Sequence, residues 1–408
     1  MAATTRTFQG VPRTGARLTA LHGLHAKGGM RLMSTGAAQH TALYDLHAKH
    51  GARFGPFAGW AMPLVYADQG ALDSHLHTRK HASIFDVSHM LQTRIVGADR
   101  HRFLEHLVVA DVKELPVGGS TLSLFTNDKG GIEDDTIITQ QKDSLYVVSN
   151  AGCADKDLAH LQKHAKIFQD QGADVEVRKI EDHSLIALQG PAAQKALEQL
   201  AGVDLAQMAF MTGQFVDIAG VPCHVARSGY TGEDGFELSI PSGEVVGITA
   251  RLLENPKVKL AGLGARDSLR LEAGLCLYGS DIDATTTPME ANLVWTIGKR
   301  RRAEGGFIGA DVILAQIAAK GGERRRVGLI VEGAPARAHA KVLSADGEEI
   351  GEITSGVPSP SLGKNVAMAY VRKGFNKRGT ALKVQVRNRV QDAVVTKMPF
   401  VPANYHKV

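Results

Sequence analysis

The sequence predicts a mixed α+β fold, with two α+β units of similar build followed by a small all-β barrel or sandwich. Apolar strands alternate with helical segments over most of the chain, and the same order of elements occurs twice. After about residue 320 only short strands separated by Gly, Pro and Ser remain. With 408 residues, 44% of them hydrophobic, the chain can build two or three cores, and no apolar run is long enough to span a bilayer.

The first unit is predicted between residues 73 and 169. A glycine-rich turn, Asn127–Gly131, reverses the chain between two of its strands. The predicted order is a short helix at 73–81, a strand at 92–96, a helix at 99–109, strands at 121–125, 132–139 and 145–149, and a helix at 155–169.

The second unit repeats this order without visible sequence identity, which predicts an internal structural duplication. Pro191 stands where the first turn of a helix tolerates proline. The predicted elements are a strand at 184–189, a helix at 192–200, strands at 224–227 and 236–240 around a glycine-rich loop, and a helix at 244–253. The C-terminal strands are predicted at 327–331, 341–343, 349–354, 366–370 and 382–386.

The positive net charge belongs to the amino-terminal segment. Residues 1–40 contain five basic and no acidic residues, and the rest of the chain is neutral overall. A basic, acid-free segment rich in Ala, Thr and Gly is typical of a mitochondrial transit peptide, predicted here as residues 1–33. The alternative is an irregular native amino terminus.

Several common sites are not predicted. A phosphate-binding loop and a dinucleotide-binding Gly-x-Gly-x-x-Gly are both missing, which argues against nucleotide cofactors. His75, His77 and His81 could share a helix face, but Arg79 and Lys80 would repel a cation, so we expect a solvated or capped helix face and no metal. The three cysteines are far apart, which suits a reducing compartment.

Two basic runs, residues 299–302 and 324–326, lack interleaved aromatic residues, which argues against nucleic-acid binding. We expect solvated surfaces, and as the second interpretation a docking patch for an acidic protein.

Two acidic segments suggest chemistry. Asp134 and Asp135 are adjacent in a predicted strand, so their side chains point to opposite faces, and an inward carboxyl would have a raised pKa suited to proton transfer. Spacing alone does not choose between these two residues, and a solvated hairpin end is the alternative. Glu237 lies in a strand after the loop Gly229–Gly235, where a carboxylate can accept paired hydrogen bonds from a planar heterocycle. A structural hairpin with an incidental acid is the other interpretation.

The sequence resembles the aminomethyltransferase, or T-protein, family of the mitochondrial glycine cleavage system. The likeness extends from about Thr41 to the carboxyl end. The matching segments are residues 57–63, 81–90, 131–135, 229–237, 265–272 and 398–402.

The resemblance implies a three-domain, cloverleaf-like protein whose last domain is a small β barrel. Residues 34–320 would form the folate-binding region and residues 321–408 the barrel. The enzyme would take an aminomethyl group from the dihydrolipoyl arm of lipoylated H-protein in the mitochondrial matrix, release ammonia and form methylenetetrahydrofolate. Tetrahydrofolate would be the co-substrate, with no metal, nucleotide, nucleic acid or membrane partner.

By the same resemblance, Asp135 matches the catalytic carboxylate and Glu237 the acid that holds the pterin. Arg266 and Tyr405 match further substrate-binding positions, and Arg266 could neutralise a folate carboxylate. Five other residues are expected to line the folate channel, with core packing as the alternative for the first two: Met62, Leu122, Asn150, Tyr230 and Trp295.

Two related protein classes fit less well. A folate-binding iron–sulfur assembly factor would carry a cysteine in the loop that here reads Gly229-Tyr230-Thr231-Gly232. A folate-dependent dimethylglycine or sarcosine dehydrogenase would need a dinucleotide-binding domain for which this chain is too short.

Overall fold

The computed structural model describes residues 38–408, and the predicted transit peptide lies outside the described residues. The helices are α1 (Tyr44–Lys49), α2 (Ala71–Lys80), α3 (Arg100–Leu107), α4 (Ala154–Asp170), α5 (Ala193–Ala201), α6 (Val245–Leu253), α7 (Leu263–Glu272), α8 (Lys299–Glu304) and α9 (Ala310–Ala318). In the described part of the chain, no helix is both long and apolar enough to cross a membrane.

The strands alternate with these helices and then follow one another near the carboxyl end. They are β1 (Ala52–Phe57), β2 (Trp60–Tyr66), β3 (Ala82–Asp86), β4 (Leu91–Val96), β5 (Ser120–Thr126), β6 (Ile132–Gln140), β7 (Leu145–Ser149), β8 (Glu176–Lys179), β9 (His183–Gln189), β10 (Thr212–Ile218), β11 (Val221–Arg227), β12 (Gly235–Pro241), β13 (Val258–Leu260), β14 (Arg324–Val331), β15 (Lys341–Leu343), β16 (Glu349–Ser359), β17 (Lys364–Arg372), β18 (Ala381–Val386) and β19 (Arg389–Thr396).

The two predicted α+β units have the same strand order. The first sheet runs β5-β6-β7-β4-β8, and the second runs β10-β11-β12-β9-β3-β13. The second sheet also contains β3, which comes earlier in the chain and lies between β9 and β13. Apart from β3, the first strand of each unit, β4 or β9, pairs with the fourth, β7 or β12, and both of these pairs are antiparallel. The shared order agrees with the predicted internal duplication.

The two sheets face each other, and their helices lie on the outer faces. Apolar residues of β6 and β7 pack with α3 and α4, while those of β9 and β12 pack with α5 and α6. The alternate residues of the same strands form a central cluster that contains Tyr146 and Val148 from the first sheet and Leu185 and Ala187 from the second. The central space between the sheets is therefore the place where side chains from both units meet.

The C-terminal segment forms a closed six-stranded barrel in the order β14-β17-β16-β15-β18-β19. This confirms the predicted α+β fold with a C-terminal barrel. The barrel packs against α7, where Arg270 donates to the Ser355 hydroxyl at 2.9 Å. The last strand was not predicted, because polar residues such as Gln391 and Asp392 interrupt its apolar pattern.

The histidine-rich helix differs from the prediction of a solvated face. His75 is fully buried, and its ring nitrogens lie 2.8 Å from the Ser268 hydroxyl and 3.1 Å from a Glu272 oxygen. His77 is half-buried and its Nε2 lies 3.1 Å from the Lys257 carbonyl oxygen. The helix packs against α7, so its histidines serve contacts within the fold.

The prediction that the basic runs form a solvated surface is wrong for Arg301 and Arg326, whereas Lys299 and Arg302 are exposed and the docking interpretation stays a prediction. Arg300 forms ion pairs with Glu105, Asp111 and Glu304. Arg301 and Arg326 are buried, and their guanidinium groups donate to backbone carbonyl oxygens. A buried guanidinium group must donate its N–H groups to acceptors, and here backbone carbonyl oxygens are those acceptors.

Candidate functional site

The β5–β6 hairpin positions Asp135. Gly131 lies at the end of its turn, where a Cβ atom would stand 1.9 Å from the Ala284 carbonyl oxygen. In β6, Ile138 faces the helices and Ile137 faces the central space. By the alternation of a strand, Asp134 shares the helix side with Ile138, and Asp135 shares the central side with Ile137. Neither carboxyl lies on an open surface, so the solvated hairpin end does not occur.

Asp135 is held by one side-chain donor. The amide nitrogen of Asn150, which follows β7, donates to Oδ1 of Asp135 at 2.9 Å. Burial raises the pKa of Asp135 to about 7, although the Asn150 hydrogen bond opposes that rise. A carboxyl with that pKa can both accept and return a proton at neutral pH.

Glu237 faces the same central space from the second sheet. Its neighbours in β12, Phe236 and Leu238, belong to the core under α5 and α6, so the alternation places Glu237 on the inner face. The Ser228 hydroxyl donates to Oε2 of Glu237 at 3.2 Å. Burial raises the pKa of Glu237, and the positive charge of Arg266 opposes that rise.

Arg266 and Tyr230 lie between the two acids. The guanidinium carbon of Arg266 lies 4.8 Å from the centre of the Tyr230 ring, and the Tyr230 hydroxyl donates to the Cys276 carbonyl oxygen. Asp135 and Arg266 both affect the pKa of Tyr230, and Arg266 in turn affects Glu237. The four predicted site residues therefore form one group.

Arg266 has unused donor capacity inside this group. Its Nη1 atom is buried and has no hydrogen-bond partner within residues 38–408. Glu237 likewise accepts only the bond from Ser228 among the described side chains. Buried polar atoms are normally satisfied, so an unpartnered donor beside an acceptor with free lone pairs fits a ligand that carries both kinds of group.

Tyr405 belongs to the C-terminal tail, which lies against the second unit. Its ring stacks on Phe210 with the centroids 4.0 Å apart. The preceding Asn404 donates to both carboxylate oxygens of Glu233, at 3.0 and 3.2 Å, and its backbone N–H donates to the Gly232 carbonyl oxygen. The tail is thus fixed to the glycine-rich loop that also carries Tyr230.

The remaining predicted channel residues differ in exposure. Leu122 is half-buried and lies in β5 on the same face as Asp135, because its neighbour Leu124 pairs with Asp135. Met62 has no accessible surface, which agrees with the alternative of core packing. Trp295 is 63% exposed, on a short turn that contacts β5. The lining role of these residues stays a prediction.

Sequence reasoning missed a buried acid behind the site. Asp157 in α4 lies on the helix side of β6, near Asp134 and Cys153. One carboxyl oxygen of each aspartate and the Cys153 sulfur lie within 4.8 Å of one another. The sequence did hold a signal, because Asp157 occupies the same buried stripe as Leu161 and Ala165 at four-residue spacing. A carboxylate in an apolar stripe is costly unless it has a partner.

The arrangement is suited to binding a planar substrate that carries N–H groups and to exchanging a proton with it during group transfer. Glu237 offers acceptors for a paired N–H edge, Arg266 and Tyr230 form a flat cationic surface, and Asp135 can exchange a proton.

Comparisons with known proteins agree with this geometry. Residues 43–301 match the family described as "GCVT N-terminal domain", and residues 324–402 match "Glycine cleavage T-protein C-terminal barrel domain". The chain is similar to "Aminomethyltransferase, mitochondrial" of Canis lupus familiaris and of Homo sapiens, with 57% and 55% identity over 86% of this chain and 87% of each relative.

A solved structure extends the likeness to the fold. The glycine cleavage system aminomethyltransferase T of Bartonella henselae is 41% identical, with a TM-score of 0.84, over 90% of this chain and 99% of that one. Since both parts of the family and nearly the whole fold match, the chain belongs to the glycine cleavage T-protein family of tetrahydrofolate-dependent aminomethyltransferases.

Proposed function

We propose that this protein binds tetrahydrofolate between its two sheets and transfers to it the one-carbon unit of S-aminomethyldihydrolipoyl H-protein, releasing ammonia. The observation that carries the proposal is the Arg266–Tyr230 pair, with the guanidinium carbon 4.8 Å from the ring centre, near which Asp135 and Glu237 lie on the inner faces of different sheets. One acid is then available for binding and the other for proton exchange.

Glu237 binds the pterin in this proposal. Its carboxylate accepts the N–H groups of the amino and ring-nitrogen edge, and this charge-assisted pair sets the orientation of the ring. The unpartnered Nη1 of Arg266 donates to an acceptor of the folate, either a ring oxygen or a carboxylate. Tyr405 and Leu122 contribute contact surface at opposite sides of the central space.

Asp135 assists the bond-forming step. The carbon–sulfur and carbon–nitrogen bonds of the aminomethyl carrier break, and two folate nitrogens form new bonds to the carbon. Each folate nitrogen loses one proton, so that one proton goes to the departing thiolate and the other to the departing amine, which leaves as ammonia. Asp135 accepts a proton that a folate nitrogen loses, and with a pKa of about 7 it can return that proton to a leaving group. Asn150 holds the Asp135 carboxyl in place through its 2.9 Å hydrogen bond.

The cellular setting follows from the same family. We propose lipoylated H-protein as the donor, with the other components of the glycine cleavage system as functional partners. The related dog and human proteins are named mitochondrial, and the acid-free basic residues 1–33 are typical of a transit peptide. We therefore propose import into the mitochondrial matrix and removal of that segment.

The test uses protein that lacks residues 1–33. Tetrahydrofolate binding is measured by titration, and ammonia release is then measured after aminomethylated H-protein is added. We expect saturable binding and folate-dependent ammonia release. Ammonia release that is the same with and without folate would contradict the proposal.

A further inference from the structure

A buried pair of carboxyl groups lies directly behind Asp135. Asp134 is 0% exposed and Asp157 is 2% exposed, and the two meet between β6 and α4. Two ionised carboxylates cannot be neighbours in a buried space without a large free-energy cost. The pair therefore shares one proton at neutral pH.

Both carboxyls accept hydrogen bonds, but only Asp157 accepts one from a cation. Asp134 accepts two N–H bonds from the neutral Asn150. Lys156 donates to Oδ1 of Asp157 at 2.9 Å, so a negative charge is stabilised on Asp157. Oδ2 of Asp157 is buried and has no donor among the described residues unless Asp134 is protonated. Burial together with the Asp157 charge raises the pKa of Asp134 well above its usual value.

Two neighbours of the pair, Cys153 and Tyr278, carry no charge at pH 7. Burial raises the pKa values of the Cys153 thiol and the Tyr278 hydroxyl, so both stay neutral. Glu133, which lies next to Lys156, is an additional acid on the Asp157 side. These neighbours leave Lys156 as the cation that decides where the negative charge of the pair lies.

Asn150 connects this pair to Asp135. Its amide nitrogen lies 2.9 Å from Oδ1 of Asp134 and also 2.9 Å from Oδ1 of Asp135, and its backbone N–H donates to Oδ2 of Asp134 at 3.0 Å. On the central side Asp135 is faced by Tyr230 and Cys276, which burial keeps neutral near pH 7. An ionised Asp134 would therefore place a negative charge next to Asp135 on its own strand.

We propose that Asp157 is a positioning residue that keeps the shared proton on Asp134 and so holds the negative charge of the pair away from Asp135. The inference rests on the proposed function only for the catalytic role of Asp135. Asp157 touches neither substrate nor reacting atoms and acts through Asp134 and Asn150.

The inference predicts that Asp157→Asn raises the pKa of Asp135, which is the opposite of the usual effect of removing an acid. Removal of an acid normally lowers the pKa of a neighbouring carboxyl, because a negative charge is lost. Here the introduced amide cannot hold the charge, so Asp134 ionises instead and the charge moves closer to Asp135. We expect the titration midpoint of Asp135 to rise by about one pH unit.

The experiment is a carbon-13 NMR titration of protein with labelled aspartate carboxyl carbons. Asp134→Asn, Asp135→Asn and Asp157→Asn identify the three signals. In the unchanged protein at pH 7 we expect Asp134 protonated and Asp157 ionised. In Asp157→Asn we expect Asp134 ionised at pH 7 and the Asp135 midpoint raised, while Asp170→Asn, an exposed position on the same helix, leaves both signals unchanged.

Three results would overturn the inference. The first is that Asp134 and Asp157 are both ionised at pH 7 in the unchanged protein. The second is that the titration midpoint of Asp135 falls or does not change in Asp157→Asn. The third is that the carboxyl titration curves change when EDTA removes a bound cation. The Asp134 signal of the unchanged protein is identified by Asp134→Asn alone, and an Asp134 that is ionised at pH 7 would overturn the inference even if Asp157→Asn does not fold. Since NMR follows the carboxyl itself, failure of the catalytic role of Asp135 would appear separately, as unchanged turnover in Asp135→Asn.

Turnover gives a second measurement. If Asp135 acts as a base, the acidic limb of the rate profile with aminomethylated H-protein should move to higher pH in Asp157→Asn by the same amount as the NMR midpoint. A lower rate with an unmoved limb would indicate a structural role alone and would contradict the inference.

Discussion

The guanidinium group of Arg266 lies over the ring of Tyr230, with its central carbon 4.8 Å from the ring centre. The ring is itself fixed, because its hydroxyl donates to the Cys276 carbonyl oxygen. The pair stands between an acid of the first sheet and an acid of the second, and it gives a planar ligand a surface on which to rest.

Asp135→Ala should abolish most of the turnover and leave tetrahydrofolate binding largely intact. Loss of a positioned acid–base group reduces rates by about 10² to 10⁴. Ammonia release from aminomethylated H-protein measures turnover, and a fluorescence titration measures binding. Asp128→Ala, an exposed position in the same hairpin, is the matched control. Unchanged turnover in Asp135→Ala would remove this residue from the mechanism.

Asp135→Asn should make the protein more stable than the unchanged protein at pH 8, and this gain should be smaller at pH 4. The folded pKa of Asp135 is raised to about 7, so its contribution to stability is lost as the pH rises from about 4 to 7. We expect a gain of about 2 to 4 kcal/mol at pH 8 in urea unfolding. A gain of equal size at both pH values would show that the effect does not come from ionisation.

Glu237→Ala should weaken tetrahydrofolate binding by about 1.5 to 3 kcal/mol, the range for a lost hydrogen bond to a charged group. Glu237→Gln keeps the shape and one acceptor, so a smaller loss is expected. Asp217→Ala, exposed in the same sheet, should not change the affinity. Equal affinities for Glu237→Ala and the control in calorimetric titrations would reject the pterin contact.

Glu272→Ala should destabilise the fold by about 3 to 5 kcal/mol, because it leaves buried partners without a counter-charge. Glu272 accepts from Arg79 at 2.8 Å and contacts His75 and the barrel residue Ser361. Burial opposes its ionisation, but the hydrogen bonds and charge of these partners lower its pKa to about 2. Its contribution is therefore present above about pH 4 and lost as the pH falls through 2.

The control for the Glu272 network is an exposed ion pair of the barrel. Glu348→Ala removes the contact with Arg372, and the loss of such a solvated pair should change stability little. Unfolding midpoints in urea compare the two variants. Equal midpoints for Glu272→Ala and Glu348→Ala would contradict this view of the network.

Gly131→Ala should distort the hairpin that carries Asp135. Its Cβ would stand 1.9 Å from the backbone oxygen of Ala284, so the backbone must move, at a cost of about 1 to 3 kcal/mol. Gly152→Ala places its Cβ in open space and is the control. We expect lower turnover and a lower thermal midpoint in the first variant only. A Gly131→Ala enzyme as active as the control would show that the turn does not position the site.

The sequence predicted elements better where one face of a strand is buried in a regular pattern. Leu145–Ser149 was predicted with the bounds it has, whereas β10 was missed because Gln214, Phe215 and Asp217 are exposed and break its apolar pattern. Strand alternation placed Asp134 and Asp135 on opposite faces but could not choose between them, because β6 is covered on both sides. The site residues came from family resemblance, since Glu237 is more than 100 residues from Asp135 in the chain.

The neutral Asp134 side chain could not be predicted from the sequence for a different reason. Its state depends on Asp157 and on a lysine in α4, and these contacts exist only after the helix packs on the sheet. Local sequence records which groups can ionise, while the folded environment decides which of them do.

The matching strand order of the two sheets has a consequence for how the enzyme can vary. Each half has its own apolar core beneath the helices on its outer surface, and a separate buried cluster joins the two sheets. Substitutions at the polar positions of the gap can therefore alter which molecule is recognised, or how it reacts, while all three apolar clusters stay in place.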